Sequence, residues 1–169
     1  MRSTSNSEPS TGKLRGRTMT DDKTATKDST NPPPANISEF NTITGLVFSQ
    51  LYGQFPVSVD LDQGAIASAM GAVSSSTPGL QSGRQFTEVL AHSLKWLSDE
   101  GYVRSAGPLA YEKVTLTTKG LAVLNAVPQG LSVTIGSTIA TNASAGNLSS
   151  VGELVGGLIG GFAKSVSGS

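Results

Sequence analysis

The chain has 169 residues, of which 37% are hydrophobic and 14% charged, with twelve Lys/Arg against twelve Asp/Glu and no cysteine. That length allows one domain with appendages, and the missing cysteines exclude disulfides, thiolate metal sites and cysteine nucleophiles. The zero net charge is unevenly spread: residues 1–35 hold six Lys/Arg against four acids, residues 36–130 hold five against seven, and from Gly120 to Ala163 the single charge is Glu153.

Residues 1–37 are rich in Ser, Thr, Asn, Lys and Pro and close on "NPPPAN". They carry almost nothing to bury, so ordering them would not repay its entropy cost, and a disordered arm is predicted. Met19 is an alternative start within it. The opening residues lack the apolar core of a secretory signal, and no window approaches 18 consecutive apolar residues. The expected location is therefore cytoplasmic.

Residues 38–130 have the periodicity of a folded domain. Phe40, Ile43, Val47 and Leu51 recur at helical spacing, with Ser38 as the expected N-cap. Pro56 ends that pattern, "VSVDL" reads as a short extended link, and Asp60 or Asp62 is placed to cap a small helix, "QGAIASAMG". The composition of "SSSTPGLQSG" marks a loop. A stronger helix follows, with Phe86, Leu90, Leu94 and Leu97 on one face and Gly101 as its terminator. "YVRS" and "KVTLT" then read as the two strands of a hairpin around "AGPLAYE". Thr117 is the expected N-cap of a further helix, where Leu116 and Leu121 are spaced as a hydrophobic staple.

The residues "LKWLSDEGYV" at 94–103 and "VTLTTKGLAVL" at 114–124 resemble the winged helix-turn-helix superfamily, over roughly residues 39–127. The resemblance implies a mainly α fold with a small β-hairpin, the wing. It also implies that the helix at 84–100 enters the DNA major groove. The solvent face of that helix would carry Gln85, Glu88, His92, Lys95 and Asp99, and the wing has only Arg104 and Lys113 beside it. Phosphate contacts need several Lys or Arg, whereas five basic residues against seven acids leave this domain at net −2. The charge pattern favours a protein-binding or scaffold use of the fold, with DNA as the second reading.

Catalysis is poorly supported. His92, the one histidine, pairs by spacing with Glu88, which describes an ordinary surface pair rather than a general base with a nucleophile. "DLDQG" at 60–64 lacks the later ligands of a calcium loop, and "GELVGGLIGG" lacks the Lys-Ser/Thr of a phosphate loop. No catalytic, cofactor or metal residues are assigned. Trp96 sits at the edge of the apolar face and reads as core.

Residues 131–169 form a third segment, rich in small residues. Ser132, Gly136, Ala140 and Ser144 are four apart beside Leu131, Ile135 and Ile139. After a turn at "AGN", Gly152, Gly156 and Gly160 repeat the spacing beside Leu154, Leu158, Ile159 and Phe162. Glycine inside a helix costs about 0.5–1 kcal/mol relative to alanine, so such rows need close packing against another helix. The expected partners are the two helices for each other, the same element of a second copy of the chain, or a membrane met by residues 151–163. As a helix that run would be about 20 Å long against a hydrocarbon core of about 30 Å, and it contains Glu153. The expectation is a non-enzymatic recognition module coupled to self-association through residues 131–169. The alternatives are a DNA-binding regulator dimerising through its C-terminal helices and a membrane effector whose tail inserts after assembly.

Overall fold

A computed structural model describes residues 32–71, 80–128 and 132–166 of the chain. The expected arm lies outside the described residues up to Asn31, as do Leu131 and most of the 74–83 loop. The first helix, α1, runs Ala35–Tyr52, starting three residues before the expected boundary at 38. Ser38 is not its N-cap: Pro34 holds that position, and its carbonyl accepts the N–H groups of Ile37 and Ser38 at 2.9 and 3.0 Å. Proline suits a helix start because it has no N–H to leave unpaired.

α2 (Gln63–Ala69) is capped by Asp62, whose Oδ1 accepts the Ala65 N–H at 2.8 Å. Asp60 instead accepts the N–H of Lys113, also at 2.8 Å. α3 (Phe86–Asp99) ends on Gly101 at φ 73°, where the Tyr102 N–H reaches the Leu97 carbonyl and the Gly101 N–H reaches Ser98. Only glycine adopts that left-handed turn without a Cβ penalty. β1 (Val103–Ser105) and β2 (Val114–Leu116) pair antiparallel with Val103 opposite Leu116, and the extended link adds a single bridge from Val59 to Val114.

α4 (Thr118–Leu124) is capped by Thr117 through the Gly120 N–H. Glycine is required at position 120 in that first turn, because a Cβ there would run into the Tyr102 carbonyl oxygen. Thr134 caps α5 (Ile135–Ser144), and a turn at Gly146, φ 74°, leads into α6 (Leu148–Val166). Among the described residues the fold is six helices and one two-stranded antiparallel sheet, a mainly α architecture whose element order is compatible with a winged helix. No described helix is long and apolar enough to cross a membrane.

α1 is the spine. Ile43, Val47 and Leu51 are buried, as the apolar stripe predicts, and so is Phe48 outside that stripe, while Phe40 is half-buried. Phe40 meets Trp96 of α3 edge to face, with ring centroids 5.1 Å apart, and Trp96 stacks on Tyr102 at 6.0 Å. Trp96 thus packs as the sequence suggests.

The other side of α1 is also buried, although its residues there are Asn41, Thr42, Thr44 and Gly45. α5 and α6 cover it. A Cβ on Gly45 would lie 2.2 Å from a methyl of Val151 and 3.2 Å from one of Val155. In return, a Cβ on Gly152 would lie 3.1 Å from Thr42 Oγ1, and one on Gly156 would lie 2.9 Å from the Asn41 amide. Each helix therefore offers a hollow for the side chains of the other.

Candidate recognition surface

Three elements build the surface at which the resemblance implies recognition. α3 turns Phe86, Leu90, Leu94 and Leu97 into the core, and Gln85, Glu88, His92, Lys95 and Asp99 stand exposed. Lys95 is engaged by Asp99 one turn later, Nζ to Oδ2 2.8 Å, the one ion pair among the described residues. An exposed pair of this kind adds little stability, but it masks a cation. His92 and Glu88 lie on the same face with no hydrogen bond between them.

The hairpin is organised by Ser105, whose hydroxyl lies 2.7 Å from the Glu112 carbonyl and accepts the Gly107 N–H at 3.3 Å. Arg104 and Lys113 are both exposed at the base of the hairpin, Lys113 with φ 47° and its N–H held by Asp60. The tip is apolar rather than basic. Pro108, Leu109 and Ala110 face Leu94, Lys95 and Ser98 of α3 across a groove of about 330 Å³, and Leu109 is 46% exposed. The sequence had shown the tip to be without basic residues; the apolar groove depends on the fold, which brings Leu94 and Leu109 together from fifteen positions apart.

A second cavity, of about 410 Å³, lies between the start of α1 and α3 and is lined by Ile37, Glu39, Phe40, Val89, His92 and Trp96 among others. Glu39 is only 6% exposed. Its Oε1 accepts the Ser82 N–H at 2.8 Å, while its Oε2 has no hydrogen-bond partner. Sequence reasoning passed over this residue. A signal was present, since Glu39 stands four residues before Ile43 and eight before Val47, in line with the apolar stripe.

Lys119 lies behind this surface, with Nζ 4.3 Å above the Tyr102 ring and donating to the Glu100 carbonyl at 2.7 Å. Burial, and then the charge of Glu100, push the Tyr102 phenol above its ordinary 10.0.

The residues expected to pack in the tail divide. Gly136 is covered by the ring of Tyr52, within 2.9 Å of where a Cβ would sit, and Tyr52 Oη donates to Asn125 at 2.8 Å. Gly152 and Gly156 face α1, as described above. Ala140 is half-buried, and Gly160 meets nothing within 4 Å. Among the described residues no group of three His, Asp or Glu side chains is placed to hold a metal ion. Compared with family models, curated proteins and solved structures, the chain finds no match.

Proposed function

We propose that the chain is a non-enzymatic winged-helix recognition module whose partner is a protein, contacted through the groove between α3 and the hairpin. The observation that carries this reading is the chemistry of that groove. A DNA reader needs cations where the helix and wing flank the duplex. Here Leu109 and Pro108 occupy the wing tip, Lys95 is tied to Asp99, and Glu88 adds a negative charge to the same helix face. Protein interfaces favour an apolar centre with a polar rim, which is the pattern of exposed Pro108, Leu109 and Ala110 facing Lys95, Ser98 and Asp99 over a floor closed by buried Leu94.

Self-association belongs to the same proposal, through the side of α6 turned away from α1. Gly157 meets nothing within 4 Å, and it borders a shallow cavity of about 540 Å³ with Pro128, Ile135 and Leu154.

A photoreactive amino acid in place of Leu109, in the full chain and in the cells that make it, tests the groove. The expected result is a discrete protein adduct that is absent when the same residue replaces exposed Ala69. Alongside it, duplex DNA binding measured by anisotropy across a salt series should be no tighter than about 10⁻⁴–10⁻⁶ M at physiological salt and without sequence preference. Nucleic-acid adducts at position 109, or nanomolar sequence-selective binding, would replace this reading with that of a DNA-binding regulator.

A further inference from the structure

Glu39 poses a problem that neither the fold nor the groove resolves. A buried carboxylate only accepts hydrogen bonds, and leaving one of its oxygens without a donor is unfavourable. Oε1 is served by Ser82, but Oε2 is buried and unserved. Arg84, two residues after Ser82, is a cation that lines the same cavity yet forms no ion pair with Glu39 among the described residues. Glu39 therefore borders this cavity, and a neighbouring one of about 400 Å³ beside Ser38, Thr42 and Leu80, with one buried carboxylate oxygen unserved.

The other walls indicate what would complete it. Ile37, Phe40, Val89 and Trp96 supply apolar and aromatic surface, and Ile37 at the mouth is 43% exposed. Pockets of about 300–1,000 Å³ with mostly apolar walls and a few placed polar groups are typical small-molecule sites, and this one measures about 410 Å³. An ammonium group is the donor best matched to a carboxylate, because the bond is charge-assisted, and an indole face adds attraction for the same cation.

We propose that the cavity between α1 and α3 binds a small organic cation, a primary or secondary ammonium on an apolar body, with the ammonium on Glu39 and the body between Ile37, Phe40, Val89 and Trp96. The site is separate from the α3–hairpin groove and stands whether or not that groove binds a protein.

The chain supplies its own reporter, since Trp96 is its single tryptophan and lines the cavity. Cyclohexylmethylamine, cyclohexylmethanol and cyclohexanecarboxylate share a ring and differ in the charge they bring. Titrated into the full chain, the amine should change Trp96 fluorescence saturably and bind at least about tenfold more tightly than the alcohol, with the carboxylate weaker still. Glu39→Gln, checked for folding by its thermal melt, should bring amine and alcohol to the same affinity. Ile37→Arg, at an exposed position, should weaken the amine by placing a fixed cation at the mouth. Equal binding of amine and alcohol by the unaltered chain would overturn the proposal, as would no saturable response or full amine preference in Glu39→Gln.

Discussion

Glycine has opposite consequences at two positions one helix apart. Gly45 lies in the buried side of α1, where a Cβ would meet Val151 at 2.2 Å, while Gly157 of α6 has open space. Alanine at Gly157 should raise stability by about 0.5–1 kcal/mol, the ordinary gain in a helix interior. Alanine at Gly45 should lower it despite the same gain, because overpacking costs about 1–3 kcal/mol. Urea melts of the two variants test this; effects of the same sign at both positions would show that the α1–α6 approach is not as close as described. The same reasoning changes the meaning of Gly156, whose Cβ would meet Asn41 of its own chain. A leucine there strains the fold before it tests any association.

At the scale of the element, α3 separates a structural face from a surface face. Leu90, Leu94 and Leu97 are all almost wholly buried, whereas Glu88 and Lys95 are exposed. Each leucine-to-alanine change removes packing that cannot fully collapse, so a loss of about 2–5 kcal/mol is expected. Glu88→Ala and Lys95→Ala should stay within about 0.5 kcal/mol, the Lys95–Asp99 pair being solvent-exposed. Comparable losses in both sets, measured by urea denaturation, would mean that the helix face is wrongly assigned. α1 has no such division over residues 41–48, where every position is buried. Its small and polar side is as much a packing surface as its aliphatic one.

Over the whole molecule, the burial of α1 restricts where self-association can occur. The hollows at Gly45, Gly152 and Gly156 are filled within one chain, so a second copy would have to meet the outer side of α6 near Gly157 and Leu154. Light scattering of the full chain should therefore report an oligomer, and Gly157→Glu, which adds a charge in open space, should shift it to monomer while far-UV circular dichroism shows the chain still folded. An oligomer that survives Gly157→Glu would move the interface elsewhere. Truncation before residue 131 is a poorer test, because it uncovers Thr44 and Gly45 and unsettles α1 itself.

Much of this protein was legible from local sequence. The capping roles of Asp62 and Thr117, the glycine terminator at Gly101, the hairpin between "YVRS" and "KVTLT", and the inward leucines of α3 all depend on residues within one short stretch of chain. Local backbone preference and apolar periodicity are sufficient to specify such features. The small-residue rows announced a close helix partner, but only the tertiary structure decided that the partner is α1. Asn41, Thr42 and Gly45 carry no apolar signal, and they become a packing surface only when Val151 and Val155 arrive from more than a hundred positions away. The isolation of Glu39 Oε2 and the meeting of Leu94 with Leu109 were likewise settled by the fold. Hydrophobic pattern reports which side chains avoid water; which backbones approach closely enough to need no side chain is a property of the pair.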